Sequence, residues 1–354
     1  MFEGRAGRVV LATASVCVML CCVQSADATV LATLRGIVHD PAHRPIAGAH
    51  IEIAAVTSQF RTQVESDAAG AFEVTSLPIG EYRLTVTVPG FATGQQQLLV
   101  HSGSAPVLHF ELAPAGPHET VRVTDEAAPL QTVTPATETT IARRQIESYA
   151  GMDQSNSLRV ITQFVPGSYM VHDQLHVRGG HQVTWAIDGV PLPNTNIATN
   201  VGPQFDPKDI DYLEASTSGY SADYGDRTYG VFNVATRTGF ERDRLGELVA
   251  SFGTYNSTND QVSFGNHSER FAWYVSGNGN RTDYALAPPT FKNLHNMGSG
   301  GGGFTSLIFN KTPQDQFRLD GGFRGDFYQV PNDPDQQAAG IRDRDREQDA
   351  FLIT

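Results

Sequence analysis

Beyond Cys22 the sequence contains no cysteine; its three, Cys17, Cys21 and Cys22, all lie in the first apolar run. A disulfide framework is therefore excluded downstream, and with it the small bridge-stapled domains that need one. Charge is modest at 18% of residues and leans acidic, to a formal net −13. That balance argues against nucleic acid as a partner, since non-specific binding needs a cationic surface. No later apolar run is long enough to cross a membrane as a helix. Catalytic signatures are missing too. There is no H-x-x-E for a zinc peptidase and no G-x-S-x-G elbow. The run Gly300–Gly303 lacks the lysine and spacing of a phosphate-binding loop and reads as a loop entering a strand. No catalytic residue, metal or cofactor is assigned. His172, His176 and His181 are near one another in sequence, but scattered polar histidines are commoner than a metal site.

What is present begins with a leader. Arg5 and Arg8 precede VVLATASVCVMLCCV, and Ala26-Asp27-Ala28 supplies small residues for cleavage. This is the pattern of a secretory signal over residues 1–28. The run is short for an uncleaved anchor. Val18-Met19-Leu20 lacks the small residues that a lipoprotein site wants before Cys21.

Residues 33–113 alternate β-rich runs with turn punctuation. LRGIVHD, AHIEIAAVT, AFEVTSL, EYRLTVTV and LLVHSGSAPVLHFELA are separated by Pro41, Pro45, Gly48, Gly70, Gly80 and Pro89-Gly90. Regular strands with such breaks predict a β-sandwich, with Ile37, Ile51, Ile53, Phe72, Val74, Leu84, Val86 and Phe110 as its core. Residues 114–140 are rich in Thr, Ala and Pro and read as a linker, in which Thr120-Val121-Arg122-Val123-Thr124 is a β-prone strand. From 141 to 239 helical and strand signals mix. Ile141–Ser148 reads as helical, and Leu158, Ile161 and Val165 recur at helical spacing before Pro166-Gly167. Short strands follow, giving an α+β unit.

Residues 240–354 return to a period of two. In QFRLDGGFRGDFYQV, Phe317, Leu319, Phe323 and Phe327 fall on one face, while Arg318, Asp320, Arg324 and Asp326 fall on the other. Five such strands and the start of a sixth are separated by polar gaps. Two architectures alternate in this way. A soluble antiparallel sheet packs one face on a core. A transmembrane barrel turns its apolar side chains to lipid and its polar ones to a wet interior.

Several segments carry a family resemblance. G-x-V-x-D at Gly36–Asp40, P-I-A-G-A at Pro45–Ala49, D-A-A-G-A-F at Asp67–Phe72 and L-P-I-G-E-Y at Leu77–Tyr82 resemble carboxypeptidase-regulatory-like domains of transthyretin type. LHVRGGHQVTWAIDGVPLPN, with Arg178-Gly179-Gly180 and Asp188-Gly189, resembles the strand–turn–strand core of the plug in TonB-dependent outer-membrane receptors. DIDYLEASTSGYSADYGDRTYGVFNVATRTG, with Glu214, Tyr224-Gly225 and Gly230, is similar to that plug's closing segment. Tyr229 stands where the family usually has a small residue.

The resemblance implies a multidomain, mainly β chain: sandwich, α+β plug and a partial antiparallel transmembrane β-barrel. It implies a periplasmic N-terminal domain, outer-membrane lipid around the strands and a small ligand such as a siderophore, oligosaccharide or peptide. Residues 120–124 take the place of the TonB box, which would bind a TonB-type energy-transducing protein by strand addition. Gly179, Gly180 and Gly189 are expected at tight turns or close approaches. Arg178 and Glu214 are expected to bridge plug and barrel wall. Family barrels have about 22 strands, so five or six imply a fragment, an early stop or a split gene. The alternative function is a non-transporting carbohydrate- or protein-binding module of the periplasm or cell surface.

Overall fold

The computed structural model describes residues 31–102, 106–115, 137–148, 162, 164–171, 174–191, 206–219, 229–242, 244–268, 270–286, 290–292, 294–312, 315–341 and 345–353. The signal segment and residues 120–124 lie outside them.

Seven strands make the N-terminal body: β1 (Leu31–His39), β2 (His50–Ala55), β3 (Arg61–Glu65), β4 (Ala71–Pro78), β5 (Gly80–Thr87), β6 (Gly94–Val100) and β7 (Val107–Glu111). They form two sheets, β4-β1-β7 and β3-β2-β5-β6. On β5, Tyr82, Leu84 and Val86 alternate inward. They share one core with Leu34, Val38, Phe72 and Phe110 of the other sheet. Ile37, expected in this core, is instead 36% exposed. Its neighbours Gly36 and Val38 hold the inward positions, and the Phe72 ring fills the space where a side chain on Gly36 would stand.

The central body contains β8 (Glu138–Ala142), α1 (Arg143–Ser148), β9 (Ser168–Val171), β10 (Gln174–Val177), β11 (Val183–Ile187), β12 (Val190–Pro191), β13 (Ile210–Ser216) and β14 (Gly230–Thr236). Its main sheet has the order β12-β11-β14-β13-β8, with β11 and β14 parallel, and β9–β10 is a separate hairpin. The helix expected from Ile141 begins only at Arg143, because Ile141 pairs with Leu213 in the sheet and is fully buried. Trp185 and Phe232 stack at 5.0 Å within the core. Every residue of β11 and β14 is buried, so both faces of this sheet are covered.

The C-terminal body is one antiparallel sheet laid down largely in chain order: β15 (Leu245–Val249), β16 (Phe252–Gly253), β17 (Ser257–His267), β18 (Phe271–Thr282), β19 (Gly298–Asn310), β20 (Gln316–Tyr328) and β21 (Arg346–Ile353). Strands β17 to β20 run 11, 12, 13 and 13 residues, enough to cross a bilayer at a tilt. Short connections at 268–270 and 311–315 alternate with long ones at 283–297 and 329–345. Inside the last of these, Asp333 and Gln336 form a capping box on a short helix, α2 (Pro334–Ala338).

The run Gly300–Gly303, read from sequence as a loop, is strand interior, paired with Gly277–Asn280 on one side and Phe323–Asp326 on the other. Glycine weakens a strand unless another group needs the room. Here the Asp326 carboxylate and Arg324 guanidinium lie where a side chain on Gly300 would point. Among the described residues no helix is long and apolar enough to cross a membrane.

Candidate functional site

The C-terminal sheet is inside out relative to a water-soluble one. On β20, Phe317, Leu319 and Phe323 are 59%, 51% and 61% exposed, whereas Asp320, Arg324 and Asp326 are 2%, 7% and 7% exposed. The same inversion runs along the ladder. Leu248, Val262, Phe323 and Phe351 lie in one outward row, and Phe271, Phe309 and Phe317 in another. Gln261, Ser263, Ser276 and Ser306 point inward and are buried. Leaving each apolar side chain in water forgoes about 1.5–3 kcal/mol of burial. A dozen such losses exceed the typical 5–15 kcal/mol net stability of a domain. The outward face therefore needs an apolar cover, and a lipid-facing barrel wall provides one.

The inward face meets the central body through charge. Arg318 on β20 lies 2.9 Å from the Asp188 carboxylate, and its Nε donates to Asp320 at 2.7 Å. Asp188 also accepts from the Thr236 backbone N–H at 2.9 Å and from the Thr236 hydroxyl at 2.7 Å. Burial pushes the Asp188 carboxyl up to about 6 even beside that guanidinium. A second contact centres on Asp209, which accepts from Gln261 at 3.0 Å and from the Tyr274 hydroxyl at 2.9 Å. Burial, and then the neighbouring Asp206, push its carboxyl up to about 7. Lys208 joins Asp206 to Asn259 of β17, with bonds of 3.1 and 2.8 Å. Arg237 and Arg242 both lie over the Tyr274 ring, 5.4 Å from its centroid, and both pair with Glu247.

The turns of the central body follow from its sequence. Arg178-Gly179 and Asp188-Gly189 each have two successive positive φ angles, 51° and 92° in the first and 48° and 80° in the second. This pattern belongs to two-residue hairpins and demands glycine or a tolerant polar residue. Gly180 is needed for a different reason. A Cβ there would lie 2.2 Å from the Tyr229 ring, which packs on the central core.

One sequence expectation is corrected. Glu214 does not reach the strand wall. It sits on the sheet face opposite Leu213 and Ala215, where it accepts from Asn233 at 3.1 Å and from the Ser102 backbone N–H at 2.8 Å. Ser102 belongs to the N-terminal sandwich, and its hydroxyl also donates to Glu214. Arg178 is exposed on its turn.

Gly230 opens β14 and is buried. Tyr224 and Gly225 lie outside the described residues, as do Thr120, Val121, Arg122, Val123, Thr124 and His172. The His176 and His181 rings are 5.4 Å apart, and Tyr169 stacks on His176. Sequence reasoning missed Asp209, Thr236 and Arg237 as wall contacts, because nothing local marks which polar residues a distant strand will meet.

The central body thus docks on the polar side of an inverted strand wall and is preceded by an accessory sandwich. Two family profiles agree: the carboxypeptidase regulatory-like domain over residues 33–113 and the TonB-dependent receptor plug domain over residues 131–231. The chain thus carries a carboxypeptidase regulatory-like domain followed by a TonB-dependent receptor plug domain.

Among solved structures, the FpvAI–pyocin S2 complex is similar over 62% of this chain and 32% of that one, at 13% identity and a TM-score of 0.49. A mutant ferric enterobactin receptor PfeA from Pseudomonas aeruginosa is similar over 63% and 38%, at 17% identity and 0.44. The siderophore receptor PirA from the same organism is similar over 54% and 36%, at 19% identity and 0.40. The chain spans about a third of the length of these three chains. No curated protein matches.

Proposed function

We propose that the chain works as a TonB-dependent outer-membrane receptor and transporter, supplying the accessory sandwich, the plug and wall strands of the barrel. The observation that carries this reading is the inverted C-terminal sheet with a plug ion-paired to its polar face through Asp188 and Arg318. In this reading residues 1–28 direct export, 33–113 fold as a periplasmic sandwich and 114–140 form the linker. Residues 141–239 are the plug, and 240–354 belong to the wall.

Short turns face the periplasm and long connections the outside in such barrels. That rule sets 283–297 and 329–345 outward, and it sets the Asp188–Arg318 pair and the sandwich at the periplasmic end. A small ligand is captured from outside; siderophores are the class named for PirA. A TonB-type protein adds its edge to the strand at Thr120–Thr124 and draws on the plug. A soluble binding module would instead turn Phe317 and Phe323 inward.

Fractionation tests the proposal. The protein is expected in outer membranes, resistant to urea and alkaline washing and released only by detergent. Recovery in the soluble periplasmic fraction overturns it.

A further inference from the structure

The plug sheet has two faces. Leu213, Ala215, Phe232 and Val234 point into the plug's own core. Tyr212, Glu214 and Asn233 point the other way, yet are only 3%, 7% and 5% exposed. Their cover is the N-terminal sandwich. Thr57 Oγ1 lies 3.0 Å from the Tyr212 hydroxyl, Ser102 donates to Glu214 at 2.8 Å, and His101 Nδ1 lies 3.0 Å from Thr140 Oγ1.

The same domain reaches the strand wall. The Phe60 ring meets the Phe240 ring edge-on, 6.2 Å apart at 89°. Phe240 packs with Ala272 and Ile308 of β18 and β19. One body therefore touches both parts that would have to separate. Hydrogen bonds also cross the plug beneath it. Glu214 accepts from Asn233, Asn233 accepts from the Gly189 N–H at 2.9 Å, and the adjoining Asp188 holds Arg318 of the wall.

We propose that the sandwich is a latch: docked, it clamps the plug to the wall, and it leaves the plug sheet before the plug yields. This rests on the receptor reading above. The contact between the domains is mostly polar, the composition of interfaces that part without unfolding either side. Chain connectivity gives the order of events. Residues 120–124 are tied by 116–119 to Ala115, whose N–H donates to Gly90 of the sandwich, and by the longer run 125–136 to Thr137, whose N–H donates to Ser218 of the plug. Extended chain reaches only ~3.3–3.6 Å per residue, so a pull on 120–124 tightens the sandwich side first. Ala115 lies just beyond β7, an edge strand paired with β1, and the chain from Ala113 to Ala115 bonds to Gly90 and Ala92. Ser102 sits in the connection leading into β7.

The test uses the intact protein extracted from membranes, with Thr140→Cys as reporter of the covered face. Sandwich-side wedges, Ser102→Trp and Thr57→Arg, are compared with the parent. Maleimide labelling of the reporter should rise about tenfold, the effect of losing one or two interdomain hydrogen bonds on an opening equilibrium. In planar bilayers the same wedges should lower the urea concentration at which channel conductance appears. Faster labelling with an unchanged conductance threshold makes the sandwich a bystander and overturns the latch. Unchanged labelling in both wedges overturns it as well, since the docked face would not be what they disturb. A variant lacking residues 141–239 separates the two levels: if it shows no conductance without urea, the receptor reading beneath the latch fails.

Discussion

Arg318 of β20 and Asp188 of the β11–β12 turn form an ion pair across the plug–wall boundary, 2.9 Å apart with Asp188 only 3% exposed. Removing one member of a buried pair strands the other and costs about 3–5 kcal/mol. Arg318→Met should therefore destabilise plug docking by roughly 3 kcal/mol at pH 8. At pH 5 the loss should be smaller, because the Asp188 carboxyl, already raised to about 6 by burial, can take a proton instead. Asp188→Asn keeps an acceptor for the Thr236 N–H and leaves Arg318 its Asp320 partner, so it should cost less. Urea midpoints for plug release at both pH values check the ordering.

A second close contact tests how the plug accepts Tyr229. Gly180→Ala places a methyl 2.2 Å from the ring, so the ring must swing away. Overpacking of this kind costs about 1–3 kcal/mol. Tyr229→Ala alone should cost some core packing, and the double variant should recover most of the Gly180→Ala loss. A thermal-unfolding cycle followed by Trp185 fluorescence measures the coupling. Additive losses would show that ring and glycine do not meet.

Glycines in the wall should divide by face. A Cβ on Gly302 would lie 2.4 Å from the Phe323 carbonyl, whereas one on Gly277 meets nothing within 4 Å. Gly302→Ala should therefore weaken the β19–β20 pairing. Gly277→Ala should be neutral, or slightly stabilising through the unfolded chain by ~0.4–1 kcal/mol. Barrel proteins that stay folded in cold detergent migrate anomalously on gels, and the temperature at which that shift disappears reads the difference.

These contrasts show which parts were legible. Period-two alternation located the wall strands, because side chains on a strand must alternate. It could not say which face looks outward, since Phe317 and Asp320 alternate alike in a soluble sheet and in a barrel. The turn at Asp188-Gly189 was readable from two residues, because its backbone angles are local. Its partner Arg318 was not, because the pairing depends on how two distant bodies dock. Glu214 illustrates the same limit. Parity sets it opposite Leu213 and Ala215, but only the fold shows that Ser102 covers it. The Gly300–Gly303 run misled because glycine is depleted in strands in general, and the Asp326 side chain that needs the room lies on another strand.

Plug docking should depend on pH through Asp209. Burial and Asp206 raise its carboxyl from the usual 3.8 to about 7 in the folded state. A raised carboxyl favours the folded state while protonated. Its contribution is fully present below about pH 4 and is lost as pH climbs through about 7. Asp188, raised to about 6, acts in the same direction. Urea midpoints for plug release should fall between pH 4 and 7 and then level off. Asp209→Asn should flatten most of that slope; an unchanged slope would mean that other groups take up the proton.

The medium around the wall can be read from the protein's own fluorescence. The chain has two tryptophans, Trp185 and Trp273. Trp185 lies in the plug core, 4% exposed and stacked on Phe232. Trp273 lies on β18 in register with Leu307 and, through it, with the outward Leu319 of β20. Phospholipids brominated on their acyl chains quench only indoles that touch the hydrocarbon. In reconstituted protein they should quench Trp273 and spare Trp185. Trp273→Phe should then abolish the quenching, and Trp185→Phe should leave it intact while removing the unquenched background. The reverse pattern, or no quenching in either variant, would place the outward row away from lipid. The buried Asp320, Arg324 and Asp326 would then need an explanation other than a wet interior behind a membrane wall.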